Sequence, residues 1–175
     1  LSEFVYNSAC MMKPIFAQAK TAPKRIAYAE GEDLRVLRAV QIAVDEGLAF
    51  PILVGRTAVI EANIKKLGLR LEHGVNIEIV DQEKNPHYEQ FADDYYQTMQ
   101  RKGVTPEYAH REARRRSTLI AAMLVKHGHA DGMLCGTYSS YDIHLDFVKN
   151  VIGLKEGRST FFTLNALMLQ DRNLF

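Results

Sequence analysis

Cysteine is scarce and tryptophan absent: the 175 residues hold only Cys10 and Cys135. Two thiols, one of them inside an apolar run, exclude a disulfide scaffold and suit a reducing, cytoplasmic setting. Neither sign of charge is in excess. Lys and Arg total 22 against 21 Asp and Glu, so a formal charge of +1 gives no global field for nucleic acid or an anionic membrane. No apolar run approaches the ~20 residues of a membrane span, and no stretch resembles a signal peptide. Among the 11 glycines, no two stand two positions apart and no pair has P-loop spacing. That removes the Gly-x-Gly-x-x-Gly dinucleotide fingerprint and the Walker-type phosphate cradle. Internal repeats and low-complexity segments are absent as well.

What is present reads as alternating strands and helices. Arg25–Glu30, Phe50–Val54 and Val75–Val80 have the apolar content of strands, and Met133, Leu134 and Cys135 suit a fourth, buried parallel strand. Helical spacing places Leu34–Val44 before Gly47, Thr57–Leu67 before Gly68, and Tyr88–Arg101 before Gly103. Thr105-Pro106-Glu107 supplies an N-cap, an N1 proline and an early acid for a helix that breaks near Ser117 and resumes to Gly128. Asp142–Val151 is a further helix. Phe4–Lys20 carries a rough helical stripe interrupted near Pro14, and Thr21-Ala22-Pro23 reads as a linker. Such alternation means βαβ units: a doubly wound α/β fold, its sheet mainly parallel with helices on both faces. The chain opens on Leu1-Ser2-Glu3-Phe4 without an initiating methionine and stops after the apolar stretch Phe161–Leu169, a strand in want of a partner. It is therefore expected to be a piece of a longer protein.

Chemistry concentrates where the fourth strand ends. Gly136-Thr137-Tyr138-Ser139-Ser140 joins that strand to a helix, at the strand end where open α/β sheets bind ligands. Gly136 permits a turn or a close approach, and hydroxyls with helix-start N–H groups suit an anion. An equally good reading is a polar turn with Ser139 or Ser140 as the helix N-cap. Glu30-Gly31-Glu32-Asp33 ends the first strand; its acids suit a helix start, and Glu30 can also line the crevice.

Other groups weigh less. His127 and His129 read as a helix C-terminal pair rather than a metal site, because nothing nearby completes a ligand set. His110-Arg111-Glu112-Ala113-Arg114-Arg115-Arg116 reads as a solvated helix face, with phosphate or nucleic acid as the sharper alternative. Cys135 reads as core, where an apolar setting silences a thiol. A triad of Ser139 or Ser140, His144 and Asp142 is crowded into one turn, without separate supporting elements.

Several segments resemble the phosphate acetyl/butyryltransferase family. They are Tyr28-Ala29-Glu30-Gly31-Glu32-Asp33-Leu34-Arg35-Val36-Leu37-Arg38-Ala39, Arg101–Ala109, Ala121–Lys126, and Ala130–Gly136 followed by Ser140. Leu1–Tyr6 with Met12-Lys13-Pro14-Ile15-Phe16, together with Val148–Val151, is similar to the hybrid NADP-dependent malic enzymes. In those, a malic enzyme region precedes a phosphotransacetylase-like domain. The resemblance implies an incomplete fold of the isocitrate/isopropylmalate dehydrogenase type. It divides the chain into a linker helix at 1–22, a first α/β domain at 23–152 and the start of a second at 153–175. It further implies an acetyl-CoA-sensing module that aids a homo-oligomer and is covalently joined to a malic enzyme region holding NADP and a divalent metal. This segment itself would hold no metal and no catalytic residue. Its acetyl-CoA or phosphate cleft would be lined by Glu30, Gly136, Thr137, Tyr138, Ser139 and Ser140. Transferases of the family usually place arginines where Met99 and Asp146 stand here, which speaks against acyl transfer to phosphate.

Overall fold

The computed structural model describes residues 2–163 together with 167–168 and 173–174, with side chains from 12 to 163. Four strands, β1 (Lys24–Tyr28), β2 (Ala49–Val54), β3 (Glu78–Val80) and β4 (Gly132–Leu134), form one parallel sheet in the order β3-β2-β1-β4. Tyr28 of β1 aligns with Leu53 on one side and Leu134 on the other. Winding runs outward from β1 through β2 to β3, then returns to place β4 on the opposite side of β1. The topological switch point therefore lies between β1 and β4.

Alternation along β2 assigns the two faces. Leu53 packs with Leu37 and Val40 of α2 (Leu34–Asp45) and with Ile60 and Ile64 of α3 (Thr57–Leu67). Ile52 and Val54 face the other way, toward Phe91 and Tyr95 of α4 (Tyr88–Met99) and Leu119, Ile120 and Met123 of α6 (Ser117–Lys126). Burying each such side chain contributes about 1.5–3 kcal/mol, so the two clusters hold the helices on their faces. Helix α5 (Pro106–Arg115) packs on α4, and α7 (Tyr141–Val151) packs on α6. Thr105 accepts the Tyr108 N–H at the start of α5, as its sequence requires.

Several expectations are corrected. The third strand is only Glu78–Val80: Asn76 ties its side chain to the Glu72 N–H and the Arg70 carbonyl, so residues 72–76 form a turn. Side chain-to-backbone bonding there outcompetes the apolar alternation. α1 (Ser2–Thr21) continues through Pro14 without a break. Cys135 is exposed rather than core, and Leu134 is 55% exposed, because among the described residues β4 has a neighbouring strand on one side only. The apolar stretch Phe161–Leu169 lies partly outside the described residues. Residues 161–163 carry no strand, while Leu167–Met168 (β5) pairs antiparallel with Asn173–Leu174 (β6).

Candidate functional site

The carboxyl ends of β1, β2 and β3 open into a cleft of about 530 Å³. Gly31 sets its floor. Its N–H donates to the Val54 carbonyl, and a Cβ at this position would stand 2.8 Å from that oxygen and 3.0 Å from Leu53 Cβ. Only glycine lets the turn after β1 lie so close against β2.

Beside it, Glu30 is 4% exposed yet carries a carboxylate. Its Oε1 accepts the Gly136 N–H at 3.0 Å, and Oε2 lies 3.5 Å from the Thr137 hydroxyl. Glu30 thus bridges the switch point, fastening the loop after β4 to the end of β1. Gly136 has φ of 106°, a conformation favouring glycine, and Ser139 is the one non-glycine residue with positive φ, at 76°, among the described residues. A seryl backbone held there is strained, which is common in loops built around ligands. Arg35 adds a longer contact, its Nη2 3.4 Å from the Thr137 carbonyl.

The loop is also held from behind. His144 is buried, with Nε2 2.7 Å from the Tyr138 carbonyl and Nδ1 2.9 Å from the Thr118 hydroxyl. A carbonyl can only accept, so Nε2 donates its proton to Tyr138, while Nδ1 shares a hydrogen bond with the Thr118 hydroxyl. Both nitrogens are committed. The Ser-His-Asp arrangement suggested by Ser139 or Ser140, Asp142 and His144 is not assembled. Ser140 occupies the N-cap position of α7 but makes no side-chain capping bond.

Charge in the cleft is unevenly paired. Glu32 receives three donors from Arg56, its N, Nε and Nη2, at 2.8–2.9 Å. Asp33 caps α2 by accepting the Arg35 and Val36 N–H groups, and the Arg35 guanidinium holds its carboxyl down at about 2. Asp81 accepts the Thr57 N–H at the start of α3. The start of α6, where Ser117 lines the cleft, has no side-chain cap. Arg114 and Arg115, exposed at the end of α5, line the cleft without a carboxylate partner within 4 Å among the described residues. Arg114 instead lies over the Tyr88 ring at 4.3 Å. One wall therefore carries two guanidinium groups and an open helix start, across the cleft from Glu30 and Glu83, which likewise have no cationic partner within 4 Å among the described residues.

Of the residues expected to line the site, Glu30 and Tyr138 face this cleft, while Gly136 and Ser139 face a smaller hollow on the far side of the loop with Cys135 and His144. Thr137 lies between, at Glu30, and Ser140 lines neither. Sequence reading missed Arg56 and Ser117, and named Arg114 and Arg115 only within a run whose phosphate-binding reading was the lesser alternative. The basic run read as a solvated face does contribute two arginines to the cleft. A signal existed in the break at Ser117, which aims the end of one helix and the start of the next at the same place. Met99 is 8% exposed in the α4 core, and neither it nor the exposed Asp146 lines the cleft. His127 and His129 do stand at the C-terminal end of α6, with the His129 N–H donating to the Leu124 carbonyl, but the macrodipole does not set the pKa of His129. Burial, then the neighbouring His87, His127 and Arg25, push its pKa down instead of up.

The family model for phosphate acetyl/butaryl transferase matches residues 10–175. The chain belongs to that family. Within it, the chain is 49% identical over its full length to an NADP-dependent malic enzyme of Haemophilus influenzae and 48% identical to one of Escherichia coli. It spans 23% of the length of each. A phosphotransacetylase structure from Streptococcus pyogenes superimposes with a TM-score of 0.74 at 25% identity, covering 85% of this chain and 45% of that one. The α/β fold is thus that of the phosphotransacetylases, and the sequence stands with the malic enzyme members of the family. Among the described residues, no helix is long and apolar enough to cross a membrane.

Proposed function

We propose that this chain is a regulatory module of an NADP-dependent malic enzyme, which binds acetyl-CoA in the carboxyl-edge cleft. The observation that carries the reading is the asymmetry of that cleft. Arg114, Arg115 and the uncapped start of α6 face a buried carboxylate, Glu30, whose one strong donor is the loop amide of Gly136. Phosphate groups of an acyl nucleotide thioester would lie on the basic wall, and Tyr138, the loop residue that faces this cleft, would cover the acyl end.

The same residues give little support to turnover. His144 is engaged by the Tyr138 carbonyl and the Thr118 hydroxyl, not by Ser139 or Ser140 of the loop. The Cys135 thiol is pushed up by partial desolvation and by the charge of Glu30, which disfavours the nucleophilic thiolate. Binding without chemistry fits a sensor. For regulation, the ligand must bind two arrangements of the protein with different affinity. The loop fastened at once to β1 through Glu30 and to α7 through His144 is the element suited to report occupancy.

In this reading, residues 1–22 connect to the malic enzyme region, 23–152 form the first α/β domain and 153–175 begin a second. NADP and a divalent metal belong to the malic enzyme region, not to this segment. The exposed Leu134, Tyr141 and Ile143 beside the open edge of β4 support assembly into a homo-oligomer. The test is malate turnover by the full-length protein with and without acetyl-CoA: inhibition is expected, and indifference rejects regulation. Family membership and the basic wall favour one alternative, an active phosphate acetyltransferase. It predicts acetyl phosphate from acetyl-CoA and inorganic phosphate.

A further inference from the structure

A second cavity, of about 380 Å³, lies on the α4/α6 face of the sheet and shares no lining residue with the carboxyl-edge cleft. The segment 81–87 walls both. Gln82 and Glu83 face the cleft, whereas Lys84, Asn85 and His87 face this second space. Ile52, Val80 and Leu124 give it apolar walls.

Asn85 is 8% exposed, and its Oδ1 accepts the His87 N–H at 3.0 Å. Its Nδ2 has no partner, the single buried side-chain polar atom of which this is true among the described residues. Folded proteins seldom leave a buried amide donor unmet, so Asn85, which lines the cavity, holds a donor in reserve that a small shift of its side chain would offer to an incoming acceptor. Next to it, the His87 and His129 rings stack with centroids 4.3 Å apart and planes at 29°. Burial, then its basic neighbours, lower the pKa of His129.

The charges around the cavity largely cancel. Arg25 is bound to Asp131 at 2.8 Å, and Asp81 accepts the Thr57 and Glu83 N–H groups. Lys84 and Glu78 remain, with opposite signs. This composition suits neither a polyanion nor a metal ion, since two stacked imidazoles do not converge on one point. Apolar walls, a flat pair of stacked rings and one orienting donor are the features of a site for a flat, polar-edged group.

We propose that this cavity binds a planar heteroaromatic ring of nucleobase size, its edge acceptor on Asn85 Nδ2 and its face against the His87–His129 pair. The site stands independently of the acetyl-CoA reading.

Adenosine, which carries the ring without phosphates, is the probe, with ribose as control. Saturation-transfer NMR and calorimetry on the full-length protein are expected to show binding of adenosine and none of ribose. Asn85→Asp keeps the oxygen that accepts from His87 while removing the donor, and should weaken adenosine by about tenfold or more. His129→Leu removes one ring and gives a second reading should the first variant fold poorly. Arg115→Ala should leave adenosine binding unchanged. The proposal is overturned if adenosine shows no transfer at millimolar concentration, or if both cavity variants bind it as the wild type does, the amide being met by an ordered water only. Loss of adenosine on Arg115→Ala with Asn85→Asp unaffected also overturns it, because the ring then sits in the other cleft.

Discussion

Replacing Glu30 separates its two duties, holding the loop and facing the cleft. Its Oε1 accepts the Gly136 N–H at 3.0 Å from a position 4% exposed, so water does not readily replace the bond. A hydrogen bond to a charged group contributes about 1.5–3 kcal/mol, a neutral one about 0.5–1.5. Glu30→Gln retains an acceptor of nearly the same shape and should loosen the loop by about 1 kcal/mol. Glu30→Ala leaves the amide without a partner and should loosen it by about 2–3 kcal/mol. At 1.4 kcal/mol per tenfold, that is roughly 30- to 150-fold faster exchange at the Gly136 amide in the alanine variant, and about fivefold in the glutamine variant. Hydrogen exchange read on a peptide spanning 132–140 measures both, with a peptide from α6 as the unaffected reference. Unchanged protection in Glu30→Ala would refute the idea that this carboxylate fastens the loop across the switch point.

Other consequences are open to simpler assays. Gly31→Ala should destabilise the fold by about 1–3 kcal/mol in urea unfolding, because the added methyl meets the backbone of β2 rather than a yielding side chain. Asp33 is held at about 2 in the folded protein against roughly 3.9 in an unfolded chain. Its stabilising contribution is therefore fully present above pH ~4 and lost as pH falls through about 2, so wild type and Asp33→Asn should differ in unfolding midpoint at pH 6 and converge toward pH 2. Cys135 should react with iodoacetamide more slowly than a free thiol at pH 8 despite its exposure. Glu30→Gln should quicken it by removing the nearby negative charge.

Much of this architecture was legible because local signals and global packing agree. The alternation of strands and helices identified the α/β fold, and Thr105-Pro106-Glu107 and the break near Ser117 stand where read. Disagreement appeared where a neighbour, not a residue's own character, decides the outcome. Val75 is apolar but belongs to a turn organised by Asn76. Met133, Leu134 and Cys135 have the composition of a buried strand, yet β4 has one partner strand among the described residues. The site was half visible. Glu30 and the loop beginning at Gly136 were identified, but their direct bond spans 106 positions and no spacing rule encodes it. The basic wall was hidden for a similar reason. A run of arginines looks solvated until the α5–α6 corner turns two of them toward the ends of β1 and β2.

Calorimetry of acetyl-CoA on the full-length protein, wild type beside Arg115→Ala, bears most directly on whether the cleft is a receptor for an anionic thioester. Saturable binding that weakens by about tenfold on loss of one unpaired guanidinium is the predicted result. An absence of heat in the wild type, or equal affinity in the two proteins, would contradict it.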